Sequence, residues 1–187
     1  MEIKQWLDQI DETTSKFCQA FGELSNEQLN WKPSSDSWSI AQNIEHLILI
    51  NASYFPIIES IRKGTYKAPL ISKIGFLVSF FGNFLLKAVN PDRKNKVNTF
   101  PIWEPKKSDV PAGILDRFQE HQSELKKVIA HSQDLVEQGV VISSPANKYF
   151  VYKLGKAFEI VVTHEQRHFN QSKEVLQLLR KKGDESS

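Results

Sequence analysis

Apolar residues recur every three or four positions along most of this chain, and the alternation expected of a half-buried strand is scarce. Ile3, Trp6, Leu7, Ile10, Phe17, Phe21 and Leu24 mark one amphipathic helix with a polar gap in the middle. Ser25 and Gln28 have capping-box spacing and start a short helical turn, ended by Pro33. Ser39 and Gln42 repeat that spacing and open a helix with a broad apolar face of Ile40, Ala41, Ile44, Leu47, Ile48 and Ile50. Pro56 lacks the donor a helix interior requires and should kink or split this helix, and Gly64 is placed to stop it. Pro111 suits a first helical position, with Ser108 or Asp109 as cap. Ile114, Phe118, His121, Leu125, Val128, Ile129, Leu135 and Val136 carry that helix towards Gly139. VVISSPANKYFVY reads as a loop with a short extended segment, and a last helix is expected over residues 152–182. The pattern predicts an all-α helical bundle.

A chain of 187 residues, 40% of them hydrophobic, can bury roughly 70% of its unfolded surface as one domain without a covalent staple. The domain is expected over residues 1–182, with 65–109 as an excursion and 183–187 as a frayed tail. The net charge of +2, from 24 basic and 22 acidic residues, leaves no footprint for nucleic acid. The basic residues Arg93, Lys94 and Lys96 read more simply as part of a solvated loop. A lone cysteine, Cys18, excludes an internal disulfide and a multi-cysteine metal site, and it suits the reducing cytoplasm. The charged, amphipathic start MEIKQWLDQIDE lacks the pattern of a secretory signal.

The longest apolar run, residues 74–86, is too short to span a bilayer, which takes about 18–20 residues. Its phenylalanines 76, 80, 81 and 84 fall on more than one helical face, so a helix here is apolar nearly all round. Packing inside the chain or against a second copy is favoured over contact with a membrane surface.

Chemistry concentrates in the histidines. His164 and His168, in VVTHEQRHFNQ, stand four residues apart and stack on one helical face. They lie on the stripe Ala157, Ile160, Val161, His164, His168, Gln171, Val175 and Leu178, which has the spacing of a core-facing side. Two inward imidazoles need partners, and protonating them in an apolar interior is unfavourable. A divalent metal satisfies both, because it binds neutral imidazole nitrogen. For an isolated pair, hydrogen bonds between helices are the commoner solution. The same segment spells HExxH, but Gln171 and Glu174 stand where a metzincin has Gly and His, and too little chain follows to supply a distant glutamate. A third ligand must therefore come from upstream. His46 is the best placed, sharing a helical side with Gln42, Leu49, Ile50, Ser53 and Ile57. His121 is weaker, and His131, near a helix end, reads as a surface residue. Glu165 and Gln171 are candidates to orient a ring or a bound water, and Glu45 reads as a surface charge. Trp31 and Trp38 are expected to pack the entry to the second helix, with one available to line a pocket.

Trp31 and Pro33, then Trp38 and Ser39 before a helix bearing His46, and finally His164, His168 and Gln171, resemble the DinB-like (YfiT-like) superfamily of metal-dependent bacterial proteins in order and separation. FPIWEPKK resembles that family's proline-containing segment before its third helix, whereas residues 65–95 match poorly. The resemblance implies a four-helix bundle of DinB-like topology, here with an additional Phe-rich helical segment between the second and third bundle helices. It also implies a divalent metal held by His46, His164 and His168, with zinc or nickel first and iron or manganese next. Three neutral ligands leave a coordination position open, the form of a catalytic site. Family members include thiol S-transferases, so the implied activity is attack by a thiol or water on a small electrophile, of transferase or hydrolase type. A small-molecule thiol and an electrophile are the implied partners, and a homodimer is compatible with the Phe-rich run. A non-catalytic metal- or ligand-binding bundle and a membrane-peripheral interaction protein are the competing readings.

Overall fold

The computed structural model describes residues 3–92, 99–106 and 108–184. The fold is mostly helical, with helices α1 (Ile3–Phe21), α2 (Asn26–Asn30), α3 (Ile40–Ser53), α4 (Phe55–Arg62), α5 (Gly75–Ala88), α6 (Ile114–Ala130), α7 (Gln133–Glu137) and α8 (Leu154–Asp184). A small antiparallel pair, β1 (Val141–Ser143) and β2 (Val151–Lys153), sets Ile142 opposite Tyr152. Helix α1 packs on α6 and α8, α3 packs on the same two, and α5 lies against β2 and α8.

Both expected capping boxes form. The Ser25 and Ser39 hydroxyls accept from the backbone N–H of Gln28 and Gln42, whose side chains accept from the cap residues in return. Pro56 splits the second long helix at Tyr54, and Gly64 ends α4 with a left-handed φ of 67°. The start of α6 differs from expectation. Its N-cap is Gly113, with no side-chain cap bond, and Pro111 lies outside the helix. Nor does α6 run on to Gly139: it ends at Ala130, α7 follows from Gln133, and at the break the Arg62 guanidinium bonds the His131 carbonyl and the Asp134 carboxylate. The extended segment before the last helix is a hairpin that seats α8, since Leu154 N–H donates to the Val140 carbonyl at 2.8 Å. Helix α8 continues through Gly183 to Asp184, two residues past its expected end. The remaining tail, 185–187, and the basic segment 93–98 lie outside the described residues.

Two apolar clusters form the core. One gathers Trp6, Ile10, Leu125, Ile129 and Phe158, and the other Phe17, Phe21, Ile44, Phe118 and Val175. Between them runs a buried polar belt, one section per long helix: Thr13 on α1, His46 and Asn51 on α3, His121 and Gln122 on α6, and His164, Glu165, His168 and Ser172 on α8. This belt positions the candidate site.

Helix α5 meets the packing expectation on one side only. Val78 and Gly82 are buried, and Phe81 stacks on Phe150 at 5.1 Å, while Phe76, Phe80 and Phe84 face outward.

Candidate metal centre

The capped start of α3 fixes the first part of the site. Asn43, one turn below the cap, donates Nδ2–H to the Ser39 carbonyl at 2.9 Å, which leaves its Oδ1 facing His168 Nδ1 at 2.7 Å. Three residues on, on the same helical face, His46 Nδ1 lies 2.6 Å from the Trp103 carbonyl. Trp103 belongs to a single turn, Pro101–Trp103, held to α3 by the bond from its indole Nε1–H to Ser53 Oγ at 3.2 Å. Close by, Gln42 Nε2–H donates to the Lys106 carbonyl at 2.7 Å.

These bonds set the tautomers. A carbonyl oxygen only accepts, so His46 and His168 each carry their proton on Nδ1 and present a bare Nε2. His164 approaches from one turn earlier on α8, its Nε2 2.9 Å from that of His168. Ring centroids lie 4.4 Å apart for His164 and His168, 4.7 Å for His46 and His168, and 5.3 Å for His46 and His164. One nitrogen from each ring falls within 4.8 Å of the other two. All three rings are buried. Burial pulls the His46 pKa down to about 4, against a smaller upward pull from the Trp103 carbonyl. Burial, reinforced by the mutual repulsion of the rings and by Arg167, holds His164 and His168 well below the usual histidine range.

The donor set suits a divalent cation. The imidazoles are neutral near pH 7, two are oriented by oxygen acceptors behind them, and imidazole nitrogen binds such ions at about 2.0–2.1 Å. A separation of 2.9 Å between two Nε2 atoms is compatible with both reaching one ion.

The rings open onto a cleft of about 600 Å³. Trp38 forms part of its wall, 4.7 Å from the His46 ring and nearly parallel to His168, while Trp31 lies elsewhere, under Lys182. Leu85, Val89 and Phe100 give the cleft an apolar side, and Arg167 and Gln171 a polar one. Arg167 is buried and donates to the Asn90 carbonyl at 2.9 Å, tying α8 to the end of α5.

The other sequence candidates separate clearly. Glu165 is fully buried and turned away from the cleft; its carboxylate accepts from Asn51 Nδ2–H at 2.8 Å, so it orients an amide of α3 instead of a histidine ring. Burial pushes its pKa up to about 7, with Gln122 and Asn51 pulling the other way. Gln171 lies on the cleft wall. Glu45 accepts from Lys106 N–H at 3.4 Å, and His131 is exposed at the end of α6. His121 is buried against Phe55, with ring centroids 5.6 Å apart, and takes no part in the cluster; burial alone pulls its pKa down to about 4. Sequence reasoning missed Asn43, Trp103 and Arg167. Asn43 was detectable, since it lies three residues before His46 on the inward face, as was Arg167, three after His164. Trp103 acts through its carbonyl, for which side-chain identity gives no signal.

No curated protein and no solved structure matches the chain. The DinB superfamily model matches residues 9–172, from α1 into the second half of α8. With the histidine cluster spanned by that match, the chain belongs to the DinB superfamily.

Proposed function

We propose that the protein is a metal-dependent enzyme of thiol S-transferase or hydrolase type. In this reading α1, α3, α6 and α8 form a four-helix bundle of DinB-like order, a single domain over 1–182 with 65–109 as its excursion. The observation that carries the reading is the convergence of three neutral, buried imidazoles on one edge of an open cleft. His46, His164 and His168 would hold the ion, zinc or nickel first and iron or manganese next. A divalent cation there supplies Lewis-acid activation, which lowers the pKa of a thiol or water into the neutral range.

The chain's own residues do the rest. The Trp103 carbonyl and Asn43 hold two rings in the tautomer that frees Nε2, and burial keeps all three unprotonated at neutral pH. Trp38, Leu85, Val89 and Phe100 exclude water from one side of the cleft and offer an apolar surface to a small electrophile. Gln171 presents an amide, and Arg167 a fixed positive charge, to polar groups of the thiol. A cytoplasmic location fits a thiol co-substrate.

The test is elemental analysis of protein purified without chelator, beside His164→Ala, with conjugation of low-molecular-weight thiols to monochlorobimane as the activity readout. Wild type is expected to carry a divalent ion and to form conjugate, and the variant to lose both. Equal metal in the two proteins overturns the site. A metal-loaded wild type inert towards every thiol and ester overturns the enzyme and leaves a non-catalytic metal-binding protein.

The 2.9 Å contact between the Nε2 atoms favours one competing reading. Among the described residues no hydrogen bond fixes the His164 tautomer, so a proton on its Nε2 would satisfy the pair without metal. In that case chelator leaves the melting temperature unchanged.

A further inference from the structure

The outer face of α5 is built unlike the rest of the surface. Phe76, Phe80 and Phe84 follow one another at four-residue spacing and form one stripe, at 73%, 58% and 51% exposure. The rings of Phe80 and Phe84 lie nearly parallel, with centroids 6.3 Å apart. Leu70 and Ile74, just before the helix, are also exposed, at 80% and 42%. An apolar stripe of this continuity on a soluble fold marks a contact surface.

Charge identifies what covers it. From residue 60 to residue 91 the chain carries five cations and no carboxylate. Arg62 and Lys63 are engaged by Asp134 and Glu59. Lys67, Lys73 and Lys87 are exposed and have no ion-pair partner among the described residues. Lys87, eleven residues after Phe76, falls on the stripe's side of α5, and Lys73 stands exposed just before the helix, and their long stems can carry the ammonium groups outward while the rings insert. A two-fold contact with a second copy through α5 would set these lysines against each other, with no carboxylate between residues 60 and 91 to relieve them. An anionic lipid surface satisfies both features, taking the rings into its acyl boundary and the lysines among its headgroups. No described helix is long and apolar enough to cross a membrane, so the contact is peripheral.

We propose that the α5 face docks the protein on anionic membrane surfaces, with Phe76, Phe80 and Phe84 inserting and Lys73 and Lys87 contacting headgroups. Leu85 and Val89, on the packed side of α5, and Ala88, one turn after Phe84, line the cleft, so docking sets the cleft beside the bilayer. The proposal does not depend on the metal or on catalysis.

Flotation with phosphatidylglycerol/phosphatidylcholine vesicles, against pure phosphatidylcholine, tests it, with sedimentation recording the oligomeric state. Wild type is expected to float with the anionic vesicles only. Binding should fall about tenfold for each Phe→Ser change at 80 and 84, and about fivefold for each of Lys73→Gln and Lys87→Gln. Helical circular dichroism of each variant checks that the fold is retained, and the lysine variants remain informative if a serine variant unfolds. Wild type that fails to float overturns the proposal, as does flotation unchanged in the folded variants. Self-association abolished by Phe80→Ser, with no vesicle binding, assigns the face to a second copy and overturns it as well.

Discussion

Asn43 commits its amide N–H to the Ser39 carbonyl, which turns its oxygen towards His168 and decides which nitrogen of that ring is free. Asn43→Ala leaves a buried Nδ1–H without an acceptor and allows the ring to rotate or change tautomer. Loss of such a partner behind a metal-ligating histidine lowers affinity about 10–100-fold. Competition with a chromophoric chelator should show that drop in Asn43→Ala, and affinity equal to wild type would remove Asn43 from the site. Glu165 illustrates the opposite relation between sequence and site. Its adjacency to His164 makes it a candidate to orient a ring or a bound water, yet it points about 100° away around α8 and its carboxylate accepts from Asn51. Adjacency on a helix separates side chains, whereas spacing by three or four joins them.

At the scale of elements, the feature that most shapes the cleft is the closeness of α5 to the start of α8. A Cβ added at Gly82 would stand 2.9 Å from Lys156 Cγ and 3.3 Å from Tyr152 Cβ. The neighbouring side of the contact is stiff, because Tyr152 is fully buried and its hydroxyl meets that of Tyr54 at 2.9 Å. Gly82→Leu should therefore push α5 off the hairpin, at about 1–3 kcal/mol of stability. Because Leu85, Ala88 and Val89 move with it, hydrogen exchange should quicken over α5 and the cleft wall while α1 and α6 stay protected. Uniform exchange across the molecule would show that α5 is not a separable wall. Element boundaries followed the local rules where caps and proline set them, as at Ser25, Ser39 and Pro56. They departed at both ends of α6, which starts on Gly113 without a side-chain cap and stops at Ala130, where the distant Arg62 guanidinium bonds the His131 carbonyl.

Across the whole molecule, the polar belt between two apolar clusters makes stability depend on pH in two opposed ways. His46 and His121 are held near 4, and His164 and His168 also below their ordinary value, so in metal-free protein the unfolded chain binds protons first on acidification. Their contribution is full above about pH 6.5 and is lost as pH falls towards 4. Glu165 has the opposite sign. Its pKa near 7 means the folded state keeps a proton that the unfolded chain releases above about 4.5, so its contribution declines as pH rises through 7. Glu165→Gln keeps an acceptor for Asn51 and abolishes only that second dependence. Urea unfolding should find the variant progressively more stable than wild type between pH 5 and 8, by a gain on the order of 3 kcal/mol at the upper end. A difference independent of pH would show that the Glu165 carboxyl is not held in its neutral form.

The helical class, both capping boxes, the break at Pro56 and the inward stripe of α8 bearing His164 and His168 were legible in the residues alone. All of these follow from periodicity and from bonds within a few residues along the chain, whereas the joining of His46 to that pair came from the family resemblance. Packing between distant segments settled which nitrogens face the cleft, that Trp103 and Asn43 hold the rings, that Glu165 belongs to the interior, and that one side of α5 stays uncovered. Those outcomes depend on backbone carbonyls and helix faces brought together from positions 57 to 125 residues apart. Side-chain pattern along one helix specifies which face turns inward, but not which group it meets there.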